Sequence, residues 1–295
     1  MTSGHAVLFQ NCSTHNAQHI CFCMVLHYIS KKFIVLLNVC GDVIFNETES
    51  CRILCIILVY SSAGFKEAHS LIEEEQSVHH DLVLLPNVYD NYKSLTKKVL
   101  EAFVWLDKTI KHFQYLLKCD DDSFVQVDKV VSELQTIKLT KGNSLYWGFF
   151  NGRAQVKVNG KWKESDWILC DYYLPYALGG GYVLSQKLVH FIAVNAEFLR
   201  LYNSEDVSVG VWLSAVVNVT RQHDPRFNTE FISRGCSNTY LVTHKQDEVA
   251  MRKMFLTLKR SGRLCDAEYR SRNSYIYNWH VPPSKCCIRN DSSIP

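Results

Sequence analysis

Short apolar runs alternate with amphipathic stretches along most of the chain. Residues 53–61 and 81–86 are apolar runs of strand length, with a polar, helix-like stretch over 67–80 between them. Apolar residues then recur every three or four positions, at Leu95, Val99, Phe103, Leu106 and Ile110, which predicts a helix with one face in the core. The helix cap is expected at Asp90 or Asn91. This alternation is typical of an α/β fold with a mostly parallel central sheet and flanking helices.

The same pattern continues through the C-terminal half. We expect strands at 115–117, 145–150 and 176–185, and helices at 127–139, 188–202 and 207–213, the last capped by Ser204. The turn signal at Asn159-Gly160 lies between 156–158 and 161–163, a pattern that predicts a β-hairpin. Nothing in this stretch has the composition of a flexible linker, so a single domain is expected.

The first fifty or so residues behave differently, because they show no sustained periodicity. Their apolar stretch over 20–45 is interrupted at Ser30, Lys31 and Lys32, so neither side reaches the ~20 residues that span a bilayer. We therefore treat 1–52 as a poorly specified N-terminal segment and 53–295 as the folded domain.

The composition is more informative about the cellular compartment than about the class of binding partner. The 295 residues include 32 basic and 29 acidic side chains, a near-balance that gives no electrostatic footprint for nucleic acid or for a membrane surface. Twelve cysteines and the sequons at Asn11, Asn46, Asn218 and Asn290 favour an oxidising, glycosylating lumen.

The strongest local signal is the acidic run Asp120-Asp121-Asp122 at the exit of an apolar strand. Adjacent carboxylates repel one another unless a cation offsets their charge, and hard oxygen ligands suit Mn²⁺ or Mg²⁺. Ligands also collect at the carboxyl ends of strands in open α/β sheets. The run is therefore a candidate metal site, with a solvated acidic turn as the structural alternative.

Two further motifs could complete such a site. Glu205-Asp206 precede an apolar helical stretch, where acids either complement the helix dipole or supply a general base for a sugar hydroxyl. His244 follows a short apolar run and is either a structural histidine or a metal ligand. Spacing alone leaves both alternatives open.

Aromatic residues and glycines offer weaker candidates. Tyr146, Trp147, Trp162, Trp167, Tyr172 and Tyr173 could stack on sugar rings or fill the core. The three glycines at 179–181 permit a close backbone approach, yet the dinucleotide and P-loop frameworks are absent from the sequence. The motifs of serine hydrolases and zincins are also absent.

Taken in order, these motifs resemble the β-1,3-glycosyltransferase family, known as glycosyltransferase family thirty-one, over roughly residues 57–295. The resemblance is carried by the stretches LLKCDDDSF (116–124), LYWGFFNGR (145–153), CDYYLPYALGGGYVLS (170–185), SEDVSVGVWL (204–213), HDPRFNTE (223–230) and SRGCSNTYLVTHKQ (233–246), and by the ending PPSKCC. Within the family the chain is most similar to members that act on the glycosaminoglycan–protein linkage region.

The resemblance implies a GT-A type, Rossmann-like nucleotide-sugar-binding fold that uses Mn²⁺ and UDP-galactose and inverts the donor's configuration. It implies Golgi placement, and an acceptor galactose in Gal-β1,4-Xyl on a proteoglycan core protein. The implied site is as follows: Asp206 is the catalytic base; Asp122, Asp120 and His244 bind the metal; Asp120, Asp121, Lys118, Gly180 and Gly181 bind the donor; Trp147, Tyr172, Tyr173 and Glu205 bind the acceptor.

The chain departs from the family pattern at its start. Members carry a membrane anchor and an Arg-x-x-x-Arg-x-Thr-Trp-like segment, and 33–60 has no stretch of that form. We therefore expect 1–52 to be a truncated or aberrant beginning. The alternatives are a sister enzyme that transfers galactose or N-acetylglucosamine to another glycan, a catalytically impaired glycan-binding homologue, and a metal-dependent phosphohydrolase.

Overall fold

The computed structural model describes residues 33–39, 52–63, 73–74, 76–77, 82–89, 91–110, 113–140 and 144–289. The predicted helix over 67–80 falls largely outside these ranges, although residues 73–74 and 76–77 are helical. The sequons at Asn11, Asn46 and Asn290, the break at Ser30–Lys32 and the alternative cap Asp90 also lie outside them.

A seven-stranded sheet with the order β3-β2-β1-β4-β7-β6-β8 forms the centre of the fold. Its strands are β1 (Phe33–Val39), β2 (Arg52–Ala63), β3 (Leu82–Tyr89), β4 (Tyr115–Asp120), β6 (Leu145–Asn151), β7 (Tyr176–Ser185) and β8 (Thr220–His223). The predicted strands at 53–61, 81–86, 115–117, 145–150 and 176–185 are thus confirmed, and the α/β class with them. The glycines at 179–181 lie inside β7 and not before it.

The expected mostly parallel sheet is corrected to a mixed one. Only β2–β3 and β6–β8 pair in parallel. Strand β1 runs antiparallel to both β2 and β4, and β7 runs antiparallel to both β4 and β6. The hydrophobic pattern of a strand indicates its burial but not its direction. A strand that is covered on both faces gives the same apolar run whether it pairs in parallel or antiparallel. The sequence pattern also missed β1, which lies before residue 52 and is hydrogen-bonded on both sides.

Five helices lie between residues 91 and 289 of the described chain: α1 (Leu95–Thr109), α2 (Val127–Thr140), α3 (Gln186–Val194), α4 (Glu205–Trp212) and α5 (Glu248–Ser261). The predicted stripe on α1 is confirmed, since Val99, Phe103 and Leu106 are buried in the main core. The cap lies at Asn91, whose side chain accepts a hydrogen bond from the Ser94 amide at the start of a 3₁₀ turn, Tyr92–Ser94.

Helix α3 ends at Val194, eight residues short of its predicted limit at 202. The Asn195 side chain donates to the Phe191 carbonyl, and a 3₁₀ turn, Ala196–Phe198, follows. Asparagine competes for backbone groups in this way and so favours helix ends. Ser204 is the N-cap residue of α4 by position, but its side chain makes no capping hydrogen bond.

The predicted hairpin around Asn159-Gly160 is wrong. Its turn survives, with Gly160 at φ +77° and the Glu164 amide bonded to the Lys157 carbonyl at 2.7 Å. The flanking residues form a loop with no β-ladder. The Asn203 side-chain amide donates hydrogen bonds to the carbonyls of Lys161 and Lys163, at 2.9 and 3.1 Å. Contacts to the residues before α4 thus replace the hydrogen bonds that a hairpin would make.

A small three-stranded sheet connects distant parts of the chain. Strand β5 (Phe124–Val125) pairs antiparallel with β11 (Val242–Thr243), which pairs in parallel with β9 (Phe227–Asn228). Because Phe124 stands opposite Thr243, the residues before Phe124 lie next to those after Thr243. This pairing brings the acidic run and His244 together.

Two disulfides lie in the C-terminal part of the described chain, Cys236–Cys265 and the adjacent pair Cys286–Cys287. The first joins β10 (Gly235–Cys236) to residues that lead towards its partner strand β12 (Tyr269–Arg270). These bonds agree with the oxidising compartment expected from composition. Within the described ranges, no helix combines the length and the apolar character needed to cross a membrane.

Candidate active site

The acidic run and His244 converge at the end of strand β4. Asp120 is the last residue of β4, and Asp122 lies in the turn between β4 and β5. His244 Nδ1 is 2.9 Å from Asp122 Oδ1, and His244 Nε2 is 3.8 Å from Asp120 Oδ2. One ligand atom from each of the three residues lies within 4.8 Å of the others. The predicted grouping of these residues is therefore present in the structure.

Asp122 has a side-chain partner on each of its two carboxylate oxygens, His244 on Oδ1 and Lys245 on Oδ2. Lys245 Nζ is 2.8 Å from Asp122 Oδ2, on the carboxylate's other side from His244. Partial burial alone would raise the pKa of Asp122, but the hydrogen bonds and charges of His244 and Lys245 hold that pKa well below its usual range. Asp122 is thus ionised at any physiological pH.

The donor set suits a hard or borderline divalent cation. Two carboxylates and one imidazole match Mn²⁺ or Mg²⁺ better than a thiolate-preferring metal. The His244 ring is further oriented by Ser123, whose hydroxyl lies 2.9 Å from Nδ1 and donates to the Gly180 carbonyl at 2.6 Å. The Asp-x-Asp motif together with His244 could therefore hold a divalent metal.

Replacing Asp122 with alanine is expected to weaken Mn²⁺ binding severely. Loss of a group that merely supports a ligand lowers metal affinity by about 10- to 100-fold, so loss of a ligand should cost at least about 100-fold. Isothermal titration with Mn²⁺ measures the change, with the exposed carboxylate variant Asp266→Ala as the control. Equal affinities in the two variants would remove Asp122 from the metal site.

Lys118 makes the central ion pair of the site. Its ammonium is fully buried and lies 2.7 Å from Asp120 Oδ1, 2.8 Å from Glu205 Oε1 and 2.8 Å from the Gly179 carbonyl. Burial opposes its charge, but the carboxylates of Asp120 and Glu205 raise the pKa of Lys118 well above its usual value. The lysine thus ties the metal motif to the start of α4.

This ion pair corrects two predicted contacts. Lys118 has no exposed surface with which to reach a donor, and the side chain of Glu205 is only 7% exposed. Their contacts join Asp120 to the start of α4, and each buried charge is satisfied by the other. Gly180 and Gly181 are likewise buried in β7, beneath His244 and Val242, and not open to a donor.

Asp206 lies one residue further along and is half-buried. Its Oδ2 accepts the Gly179 amide at 2.9 Å, and its Oδ1 accepts the Val207 amide at 2.8 Å. Burial, followed by the charge of Glu205, raises the pKa of Asp206 to about 8 despite these hydrogen bonds and the charge of Lys118. A carboxylate with such a pKa can take up a proton near neutral pH.

Glycines in β7 let these groups come so close. A Cβ on Gly180 would stand 2.6 Å from His244 Cγ, and a Cβ on Gly179 would overlap the Glu205 carboxylate. Real side chains do not tolerate such contacts, so any larger residue would push His244 or α4 away. The triple glycine is therefore a packing requirement of the site.

The aromatic acceptor candidates separate into buried and accessible residues. Trp147 is 0% exposed, donates its indole N–H to Asp224 and packs edge-on against Phe227. It is a core residue, so its predicted contact with the acceptor is corrected. Tyr173 is also buried, with its hydroxyl accepting the Lys157 amide. Tyr172 and Asp121 remain partly accessible.

Two residues at the site were missed from sequence. Lys245 was overlooked because lysines are common on surfaces, although it directly follows His244 and has a left-handed backbone, φ +61°. Tyr92 was overlooked as one residue of a helix start. The Tyr92 side chain is hydrogen-bonded to Ser204. Burial, followed by the negative charges of Glu205, Asp206 and Asp120, raises the pKa of Tyr92. Only tertiary structure brings Tyr92 to α4.

Comparison with known proteins gives a consistent set of matches. A family model described as Galactosyltransferase matches residues 44–225. The chain is 52% identical over 225 residues to beta-1,3-galactosyltransferase 6 of Mus musculus, covering 76% of this chain and 69% of that protein.

Other relatives are more distant. Identity is 32% over 208 residues to the UDP-GalNAc:beta-1,3-N-acetylgalactosaminyltransferase 2 of Xenopus laevis, covering 70% of this chain and 41% of that protein. Identity is 36% over 187 residues to hydroxyproline O-galactosyltransferase GALT5 of Arabidopsis thaliana, covering 62% of this chain and 27% of that protein. The chain thus spans less than half the length of these two relatives.

Proposed function

Because the chain belongs to the galactosyltransferase family, we propose that it is an inverting β-1,3-galactosyltransferase that uses UDP-galactose and a divalent metal. The proposed acceptor is the galactose of Gal-β1,4-Xyl in the linkage region of a proteoglycan. The observation that carries the proposal is the convergence of Asp120, Asp122 and His244, which Lys118 connects to the helix start that bears the high-pKa carboxylate Asp206. The 52% identity to a β-1,3-galactosyltransferase favours galactose over N-acetylgalactosamine as the sugar.

Each side chain has a role in this proposal. Asp206 accepts the proton of the acceptor's C3 hydroxyl, whose oxygen attacks the anomeric carbon from the face opposite UDP. The α-linked donor thereby becomes a β-linked product. Lys118 holds Asp120 and Glu205 in register, and the Gly179 amide fixes the Asp206 carboxylate. Asp121 is accessible for the donor, as Tyr172 is for the acceptor.

Asp120, Asp122 and His244 would hold Mn²⁺. The ion, when bound, supplies positive charge that stabilises the departing diphosphate. Lys245 contacts Oδ2 of Asp122, the oxygen that does not face His244, and adds a second positive charge beside the metal ligands. The carboxylates keep the two cations together, so the site can offset charge that develops on the leaving group.

The activity should fall as the pH is lowered, because Asp206 works only in its deprotonated form. Burial and Glu205 raise the pKa of Asp206 to about 8. Below that value we expect kcat/KM to drop about tenfold per pH unit, and above it to level off. The measurement is kcat/KM from pH 5.5 to 9.5 at saturating Mn²⁺, with UDP-galactose stability checked at each pH. A flat profile across this range would contradict Asp206 as the base.

The proposed function is tested by UDP release from UDP-galactose with Mn²⁺, with and without Gal-β1,4-Xyl. Acceptor-dependent release with formation of a β1,3-linked trisaccharide supports it. Release without acceptor would indicate a phosphohydrolase, and turnover only with UDP-N-acetylgalactosamine would indicate a different transferase. No release together with no UDP binding would sink the proposal and favour a glycan-binding role.

We further propose that the protein acts in the Golgi lumen at the membrane. The disulfide Cys236–Cys265 and the sequon at Asn218 support an oxidising, glycosylating compartment. Enzymatic deglycosylation of protein expressed in human cells, followed by peptide mapping at Asn218, measures whether that sequon is used. Fractionation of the same cells shows whether the chain accompanies Golgi membranes.

A further inference from the structure

Two segments reach from the catalytic groups to one aromatic contact. On the metal side, the His244 amide donates to the Asn228 carbonyl at 3.0 Å, and the chain continues from Asn228 to Phe231. On the side of the base, the Asn203 side chain holds the Lys161 carbonyl at 2.9 Å, next to Trp162. The rings of Trp162 and Phe231 then meet with centroids 5.6 Å apart and planes 86° apart.

Cation–π contacts of Lys161 connect the same segment to Tyr92. Lys161 Nζ lies 4.4 Å from the Trp162 ring centroid and 5.5 Å from that of Tyr92. Tyr92 in turn is hydrogen-bonded to Ser204 and lies in the field of Asp206. A continuous set of contacts therefore runs from Ser204, two residues before the proposed base, through Tyr92 and Lys161 to the aromatic pair.

The pair has the physical properties of a sugar platform. Phe231 is 67% exposed and Trp162 is half-buried, so two perpendicular aromatic surfaces form an open corner. The apolar C–H faces of a pyranose pack on aromatic rings, while its hydroxyls take hydrogen bonds from nearby polar groups. The exposed ammonium of Lys161 is such a donor.

We infer that Trp162 and Phe231 form the acceptor subsite, which binds the sugar whose hydroxyl faces Asp206. This inference rests on the proposed function and replaces Trp147 as the aromatic acceptor contact. The competing occupant is the uracil of the donor, which also has a flat face. The side-chain contacts of the pair favour the acceptor, because they lead through Lys161 to Asn203 and Ser204, three and two residues before Asp206, where the attacking hydroxyl must lie.

The test is steady-state kinetics of Trp162→Ala and Phe231→Ala with UDP-galactose and Gal-β1,4-Xyl. Each variant should raise the acceptor KM about tenfold, in line with the strength of one aromatic contact. The KM for UDP-galactose and the kcat should change by less than about twofold. Trp162→Phe should recover most of the affinity. Phe198→Ala, which removes an 85% exposed ring elsewhere, is the matched control.

Binding measured apart from turnover keeps this inference separate from the proposed function. Saturation-transfer NMR with Gal-β1,4-Xyl, in the presence of UDP and Mn²⁺, should give a signal in the wild type that Phe231→Ala loses. Loss of that signal supports the subsite even if wild-type protein transfers no sugar. Unchanged acceptor KM and unchanged NMR signal in both alanine variants would overturn the inference, as would a rise in the donor KM instead. Should Trp162→Ala fail to fold, the exposed position 231 carries the test.

Discussion

Replacing Asp206 with asparagine is expected to lower kcat by about 100- to 10,000-fold, the contribution typical of a general base. The amide has nearly the same shape but cannot accept the acceptor's proton. Binding of UDP and Mn²⁺ should change little, because Asp206 is not one of the three clustered metal ligands. Initial rates with UDP-galactose and Gal-β1,4-Xyl, beside calorimetric UDP titrations, measure the two quantities separately.

The interpretation depends on keeping α4 in place. Each carboxylate oxygen of Asp206 accepts one backbone hydrogen bond, from the amide of Gly179 or of Val207. Asparagine has only one side-chain oxygen, so it cannot keep both hydrogen bonds in this arrangement. The melting temperature of the variant should therefore be measured beside that of Asp266→Asn, an exposed carboxylate control. A variant that stays folded, binds UDP and retains wild-type turnover would remove Asp206 from the mechanism.

Replacing Lys118 with methionine is expected to destabilise the fold by about 3–5 kcal/mol, since it leaves buried carboxylate charge without a partner. The lysine contacts Asp120 and Glu205, whose side chains are 31% and 7% exposed. Asp120 can regain water, but Glu205 cannot. Urea unfolding measures the loss, and Lys253→Met, at an exposed ion pair, should change stability by less than about 1 kcal/mol.

A double variant distinguishes charge from packing. Lys118→Met with Glu205→Gln removes the orphaned charge together with the lysine, so it should recover part of the stability lost in the single variant. Activity should stay low in both, because Asp120 and α4 lose their common anchor. If the double variant is less stable than the single one by the full cost of the second change, the two residues do not act as a pair.

Local sequence was enough to predict most of the elements near the site. The stripe through Val99, Phe103 and Leu106 predicted α1, and the apolar run before Asp120 predicted β4. Both predictions were possible because the buried side of an element gives a hydrophobic pattern that is visible within a short stretch of sequence. The motif order also predicted the family, and the grouping of Asp120, Asp122 and His244 agrees with it. The α/β class and the acidic motif could therefore be predicted from the chain itself, whereas the packing of His244 and Glu205 against the glycines could not.

Three features could not be predicted from the sequence: the direction of the strands, the burial of individual side chains, and the contacts between distant residues. Strand β1 and the mixed sheet depend on pairing across long separations, to which periodicity is blind. Trp147 and Tyr172 have the same capacity to stack on a sugar, and only packing buries one and leaves the other accessible. Lys118 meets Glu205, and Trp162 meets Phe231, across 87 and 69 positions of the chain. Such contacts depend on the folded chain as a whole, because no local pattern records which charge or ring will lie opposite another.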